Sequence, residues 1–256
     1  MNRIDKLFGS KRKNILNIYC TAGFPEIDSL QKIILSLQNN GVDIIEVGMP
    51  YSDPLADGPV IQESNMKALG NGMHMNLLFK QLKQIKDQVK IPMILMGYLN
   101  PVMQFGFERF CREASESGID GLILPDLPMF EYVRDHKETV EKYGLYNIFL
   151  ITPETTEERI RKIDSLSSGF IYAVSSSSTT GKDTDISGKE KYFERIRSMD
   201  LINPVLVGFG IRDKQTFSEA CKHTNGAIIG SAYIKALQGS SDIEEVTKQF
   251  VNGILN

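Results

Sequence analysis

The sequence predicts a (β/α)8 barrel, a TIM-barrel fold, from three observations. Short runs rich in Val, Ile and Leu alternate with helical stretches along the whole chain. These runs are apolar at nearly every position, as strands covered on both faces are, whereas a half-exposed sheet alternates. Eight strand-then-helix units fit within 256 residues, the usual length of a closed barrel of this kind. A doubly wound open sheet shares the alternation and stands as the alternative, because alternation does not reveal closure. No composition break or linker divides the chain. Residues 1–256 are therefore expected to form one domain, with extra short helices added to the barrel.

The first strand is placed at Ile15–Thr21, followed by a helix over Ile27–Asn39. Asp43–Gly48 is the second strand. Helical stretches at Pro59–Leu69 and Asn76–Val89 follow it, parted by Gly70 and Gly72. Met93–Gly97 precedes a helix at Phe107–Ser117, and Gly121–Leu124 precedes one at Phe130–Tyr143. Tyr146–Ile151 precedes Thr156–Leu166, and Phe170–Val174 precedes a polar loop and a helix at Glu190–Met199. Val205–Val207 leads to Lys214–Lys222. Ala227–Ile229 leads to helices at Ser231–Leu237 and Ile243–Leu255.

An apolar fraction of 41% with 24% charged residues supports a sizeable core. The net charge of −3 argues against a nucleic-acid binder, which usually carries a basic face. No apolar run approaches the length of a membrane span. The start of the chain lacks the apolar segment of a secretory signal. Cys20, Cys111 and Cys221 form no CxxC pair and are expected to be reduced, buried thiols of a cytoplasmic protein. His74, His136 and His223 are equally scattered, so no metal site is expected.

Function in this fold sits where strands end and the following loops begin. Glu46 lies inside the apolar second strand, at the parity opposite to Ile45 and Val47. A buried carboxylate there costs several kcal/mol unless it is paired or hydrogen-bonded. It is either a structural carboxylate bonded to neighbouring hydroxyls or amides, or a general acid–base with a pKa raised by desolvation. Asp57 follows on the loop fed by the same strand, in a turn-rich segment with Asp53 and three prolines. Asp57-Gly58-Pro59 reads as a helix start. Two carboxylates at one mouth, one buried and one less so, also make an acid–base pair.

The seventh strand runs into Gly208-Phe209-Gly210, and the eighth into Gly230-Ser231 at the opening of a helix. Glycines there either make tight turns or bring backbone N–H groups to an anion. The last two loops are the usual phosphate site of this fold. After the sixth strand comes Ser175–Gly188, with six consecutive Ser/Thr residues. This segment is expected to be either a plain surface loop or a lid that orders over a ligand.

Ile45 to Gly58, reading IEVGMPYSDPLADG, resembles the signature segment of the tryptophan synthase α chain family. The likeness extends over Thr21–Pro25, Gly97–Pro101, Pro125–Pro128, Phe170–Tyr172, Thr180-Gly181, Gly208–Gly210 and Gly230–Ala232, in the family's order. The resemblance implies a lyase that cleaves indole-3-glycerol phosphate to indole and glyceraldehyde 3-phosphate without a cofactor. It also implies a partner β chain that uses pyridoxal phosphate, in an α2β2 heterotetramer serving tryptophan biosynthesis. By position, Glu46 is similar to the family's acid–base and Asp57 to its partner. Tyr172 matches the tyrosine beside Glu46, and Thr180 the lid residue that closes onto the aspartate. Gly181, Gly210, Gly230 and Ser231 match phosphate-binding positions. Tyr19, Tyr98, Leu99, Leu124 and Phe209 are expected either to wall the indole slot or to be plain core. The sequence departs from the family's lid at Ser178 and Thr179, where glycine and valine are common, and Tyr51 stands where Phe is common. A stand-alone lyase, an idle regulatory subunit and another phosphate-sugar enzyme on the same barrel are the competing readings. Retention of both carboxylates speaks against the idle subunit, and the long signature against the last.

Overall fold

A computed structural model describes residues 1–174, 186–208, 210–240 and 242–256. Its sheet is entirely parallel and contains β1 (Ile15–Thr21), β2 (Ile44–Gly48), β3 (Met93–Met96), β4 (Gly121–Ile123), β5 (Tyr146–Asn147), β6 (Leu150–Ile151), β7 (Ile171–Val174), β8 (Val205–Gly208) and β9 (Gly226–Ile229). The ladder runs β5-β4-β3-β2-β1-β9-β8-β7-β6. Only Ile148 and Phe149 separate β5 from β6, so the two are halves of one run. The first half pairs with β4 and the second with β7. Ile148 N–H donates to Leu122 O at 3.0 Å on one side, and Tyr172 N–H donates to Phe149 O at 3.0 Å on the other. The nine segments therefore occupy eight positions around a closed ring, which decides for the barrel over the open sheet.

The helices among the described residues are α1 (Arg3–Ser10), α2 (Ser29–Asn39), α3 (Pro59–Gly70), α4 (Met75–Ile85), α5 (Leu99–Phe105), α6 (Phe107–Glu116), α7 (Met129–Glu131), α8 (Lys137–Lys142), α9 (Glu157–Leu166), α10 (Ile186–Ser198), α11 (Lys214–His223), α12 (Ser231–Leu237) and α13 (Ile243–Leu255). Strand and helix positions follow the sequence expectation to within a few residues, with three differences. The helix expected at Phe130–Tyr143 is α7 and α8 joined by a π-helical turn, Tyr132–His136. α5 was not expected, and neither was α1. None of these helices is long and apolar enough to cross a membrane.

Strand parity sorts the apolar residues into two layers. Ile45 and Val47 belong to the layer between sheet and helices, together with Ile18, Cys20, Leu95 and Val207. Ile44 belongs to the barrel interior with Ile15, Ile94, Ile123, Ile148, Phe170, Leu206 and Ile228. Glu46 shares the parity of Ile44, so it points into the barrel. The bottom of that interior is closed by α1, which buries Ile4 and Phe8 in the same cluster. Asn2 caps α1 by accepting from Ile4 N–H.

One buried carboxylate fastens the plug. Asp120, at the start of β4, accepts from Arg3 Nε at 3.0 Å and from Met93 N–H at 2.9 Å. The Arg3 guanidinium also donates to Val89 O at 2.9 Å and to Gly118 O. Removing the carboxylate strands a half-buried cation and a buried amide together. Asp120→Ala is expected to destabilise the fold by about 3 kcal/mol, measured as a lower midpoint in chemical denaturation. A midpoint equal to wild type would show that the plug is held by Ile4 and Phe8 alone.

Candidate active site

The interior above the apolar floor is polar. Glu46 is fully buried in the middle of β2, across the ladder from Tyr19 on β1 and Ile94 on β3. Its Oε1 accepts from Asn17 Nδ2 at 2.5 Å, and Oε2 has no partner among the described residues. Burial pushes this carboxyl up to about 8, against the opposing effect of the Asn17 hydrogen bond. A free carboxyl titrates near 4, so Glu46 is largely protonated at neutral pH.

Asp57 stands on the loop between β2 and α3, half-buried. Burial raises it to about 6, and a hydrogen bond from the Tyr98 hydroxyl holds it lower than burial alone would. Tyr98 does a second thing for this loop, because its hydroxyl oxygen accepts from Ala56 N–H at 3.0 Å. Its ring packs against Tyr51 with centroids 5.3 Å apart. Gly58 and Pro59 then open α3 directly after Asp57. Proline at the first helical position lacks only an N–H that would be unpaired there anyway.

Tyr19 and Tyr172 complete the mouth. Both are buried, and both phenols are raised by desolvation first, with further contributions from Asp57 and Glu46. The four groups therefore share one electrostatic environment. Two glycines make room for the phenols. A Cβ on Gly48 would overlap the Tyr19 hydroxyl, and one on Gly208 would overlap that of Tyr172. The Thr21 hydroxyl donates to Tyr19 OH at 3.3 Å and lies 2.7 Å from Ser64 Oγ on α3. This buried chain ties the helix that follows Asp57 to the first strand.

The remaining expected site residues divide. Gly230 precedes α12, and Ser231 begins it. Gly210 is exposed just past β8. Leu99 is half-buried, and its N–H donates to the Asp126 carboxylate at 2.9 Å. Its side chain packs against the outer layer. Leu124 also packs in the outer layer, bordering a groove with Phe149, Arg159 and Ile163. The interior-facing residue at that strand end is Ile123. Thr180, Gly181 and Phe209 lie outside the described residues, as do the lid departures Ser178 and Thr179. Sequence reasoning missed Asn17, Ser64 and the looped-in role of Tyr98. Asn17 was readable by the signal that marked Glu46, a polar side chain inside an apolar strand.

Comparison with known proteins adds to this geometry. A family profile described as tryptophan synthase alpha chain matches residues 6–253. The tryptophan synthase alpha chain of Flavobacterium johnsoniae is 54% identical over 248 residues, covering 96% of this chain and 98% of that one. A crystal structure of tryptophan synthase subunit alpha from Legionella pneumophila superposes with a TM-score of 0.89 at 32% identity, covering 99% of this chain and 97% of that one. A chain in a tryptophan synthase complex from Pyrococcus furiosus superposes with a TM-score of 0.87 at 32% identity, covering 96% and 99%.

Proposed function

The chain belongs to the tryptophan synthase alpha chain family, and from that premise we propose that Glu46 and Asp57 carry its reaction. The reaction is the cleavage of indole-3-glycerol phosphate to indole and glyceraldehyde 3-phosphate, with indole passing to a partner β chain. The observation that supports the residue assignment is the pairing of a fully buried carboxyl with a half-buried one whose environment raises it less. Environments that drive two carboxyls apart separate an acid from a base at one pH.

Indole is a poor leaving carbanion, so its C3 must first accept a proton. Glu46, neutral near pH 7, gives that proton to C3. Asp57, mostly ionised at the same pH, faces the N1–H side and stabilises the positive charge that develops on the ring. The Glu46 carboxylate then takes the proton of the C3′ hydroxyl. As that proton leaves, the C3–C3′ bond breaks, the C3′ carbon becomes the aldehyde, and its electron pair restores the indole ring. Tyr19 and Tyr172 wall the ring, with Tyr98 holding the Asp57 loop in place. Leu99 and Leu124 are carried over to the edge of this slot from the resemblance. Gly181, Gly210, Gly230 and Ser231 are assigned to the phosphate, Thr180 to the lid that closes onto Asp57, and Phe209 to the indole slot, each carried over from the resemblance.

On this reading the chain uses no cofactor of its own, and pyridoxal phosphate belongs to the β chain. A cytoplasmic setting accords with amino-acid biosynthesis. The test is indole release from indole-3-glycerol phosphate by the purified chain, alone and with a β chain added. Slow release that accelerates with the β chain is the expected outcome. Equal rates would make the chain a stand-alone lyase, and no release in either case would refute the reading.

A further inference from the structure

We propose that Asn17 is a positioning residue for Glu46: its side-chain amide holds Oε1, so that the proton Glu46 transfers is carried on Oε2. The inference rests on the reading of Glu46 as the acid–base.

The geometry is specific. Asn17 and Glu46 stand on neighbouring strands, both point into the barrel, and both are fully buried. The amide Nδ2 lies 2.5 Å from Oε1, within hydrogen-bond reach. An amide N–H only donates, so the oxygen it faces must accept and cannot direct a proton along that line. The other carboxyl oxygen, Oε2, is buried without a partner among the described residues. Among the described residues a proton placed there meets no competing acceptor, and it remains free for the substrate. Asn17 sits in ILNIYCT, a strand whose seven residues are all buried. A polar side chain in such a strand costs stability unless it is used, and half of its amide, Oδ1, has no partner either.

The groups facing Glu46 make the amide matter more. Tyr19 on β1 and Tyr172 on β7 both feel Glu46 and Asp57, and Cys20 feels Glu46 from the outer face of β1. The phenols and the thiol are neutral at working pH, and Asp57 is of like charge. Among the described residues no cation pairs with Glu46. The amide is thus the group that favours the ionised form and keeps burial from making the carboxyl too weak a base for the second half of the reaction. Positioning and poise come from one hydrogen bond.

The test uses Asn17→Leu and Asn17→Val, both lacking the donor and both compatible with a buried strand. Each is assayed for indole release across pH with a β chain present, beside wild type and Glu46→Gln. Loss of the donor should move the alkaline limb of kcat upward by about one pH unit. At pH 7 kcat should fall about tenfold, with KM within about twofold of wild type. An alkaline limb that stays in place in a folded variant overturns the proposal, as does a rise in KM with kcat unchanged. If neither variant folds, the amide is structural and the proposal is overturned as well. Glu46→Gln separates the two levels. A fully active Glu46→Gln protein refutes the acid–base reading itself, whereas an inactive one beside an unmoved limb refutes only the role of Asn17.

Discussion

Glu46→Gln is expected to lower kcat for indole release by roughly 10³- to 10⁴-fold. The amide keeps the shape and can still accept from Asn17, but it cannot give a proton to C3 or take one from the C3′ hydroxyl. The same substitution should stabilise the protein. A carboxyl raised to about 8 in the folded chain, against an ordinary value near 4.5, binds its proton more tightly folded than unfolded. Below the ordinary value both states are protonated and the group costs nothing. As pH rises through the window between the two values, the unfolded state ionises first and wild-type stability falls. Glutamine has no such titration. The variant should therefore melt above wild type at pH 8 and show no comparable advantage at pH 4. Substantial residual turnover in a folded Glu46→Gln protein would rule out the acid–base assignment. Equal melting at both pH values would show that the carboxyl is relieved by solvent.

Asp57→Asn is expected to cut kcat by about 10²- to 10³-fold while leaving binding of a stable indole-alkyl phosphate almost unchanged. The ring carries positive charge only once C3 has been protonated, so the carboxylate acts mainly in the transition state. Its titration also shapes the pH profile. Wild-type kcat should rise as Asp57 ionises near pH 6 and fall as Glu46 loses its proton near pH 8. Asparagine removes the ionising group, and the acid limb should vanish while the alkaline one remains. Steady-state kinetics from pH 5 to 9 would read both limbs. A parallel loss of analogue affinity would instead make Asp57 a ground-state binding residue.

The strands and Glu46 were legible because burial on two faces and a charged residue at interior parity leave marks in a one-dimensional pattern, whereas Asp57 was marked only by its place on the loop that the same strand feeds. α1 left little mark. A helix of eight residues has weak intrinsic support, and Ile4 and Phe8 become helical by closing the barrel floor. α5 was hidden by Asn100-Pro101, which reads as a turn. Pro101 is tolerated because it lies in the first helical turn, where no intrahelical N–H bond is lost. Tyr98 could be placed near the site but not given its task, because its bonds to Ala56 and Asp57 join two loops whose approach only the closed ring fixes.

The ring closes between its first and last strands, with Ile15 beside Gly226 and Ile18 beside Ile229. During synthesis β1 leaves the ribosome early, and one of its edges stays unpaired until nearly the whole chain has followed. That edge belongs to an apolar strand, the kind that pairs with whatever strand it meets. Glu46 meets its amide partner as soon as β2 joins β1, but water is shut out of their interior only when β9 arrives. The enclosure of the polar pair at the centre of the site therefore depends on a pairing between the two ends of the chain, β1 with β9.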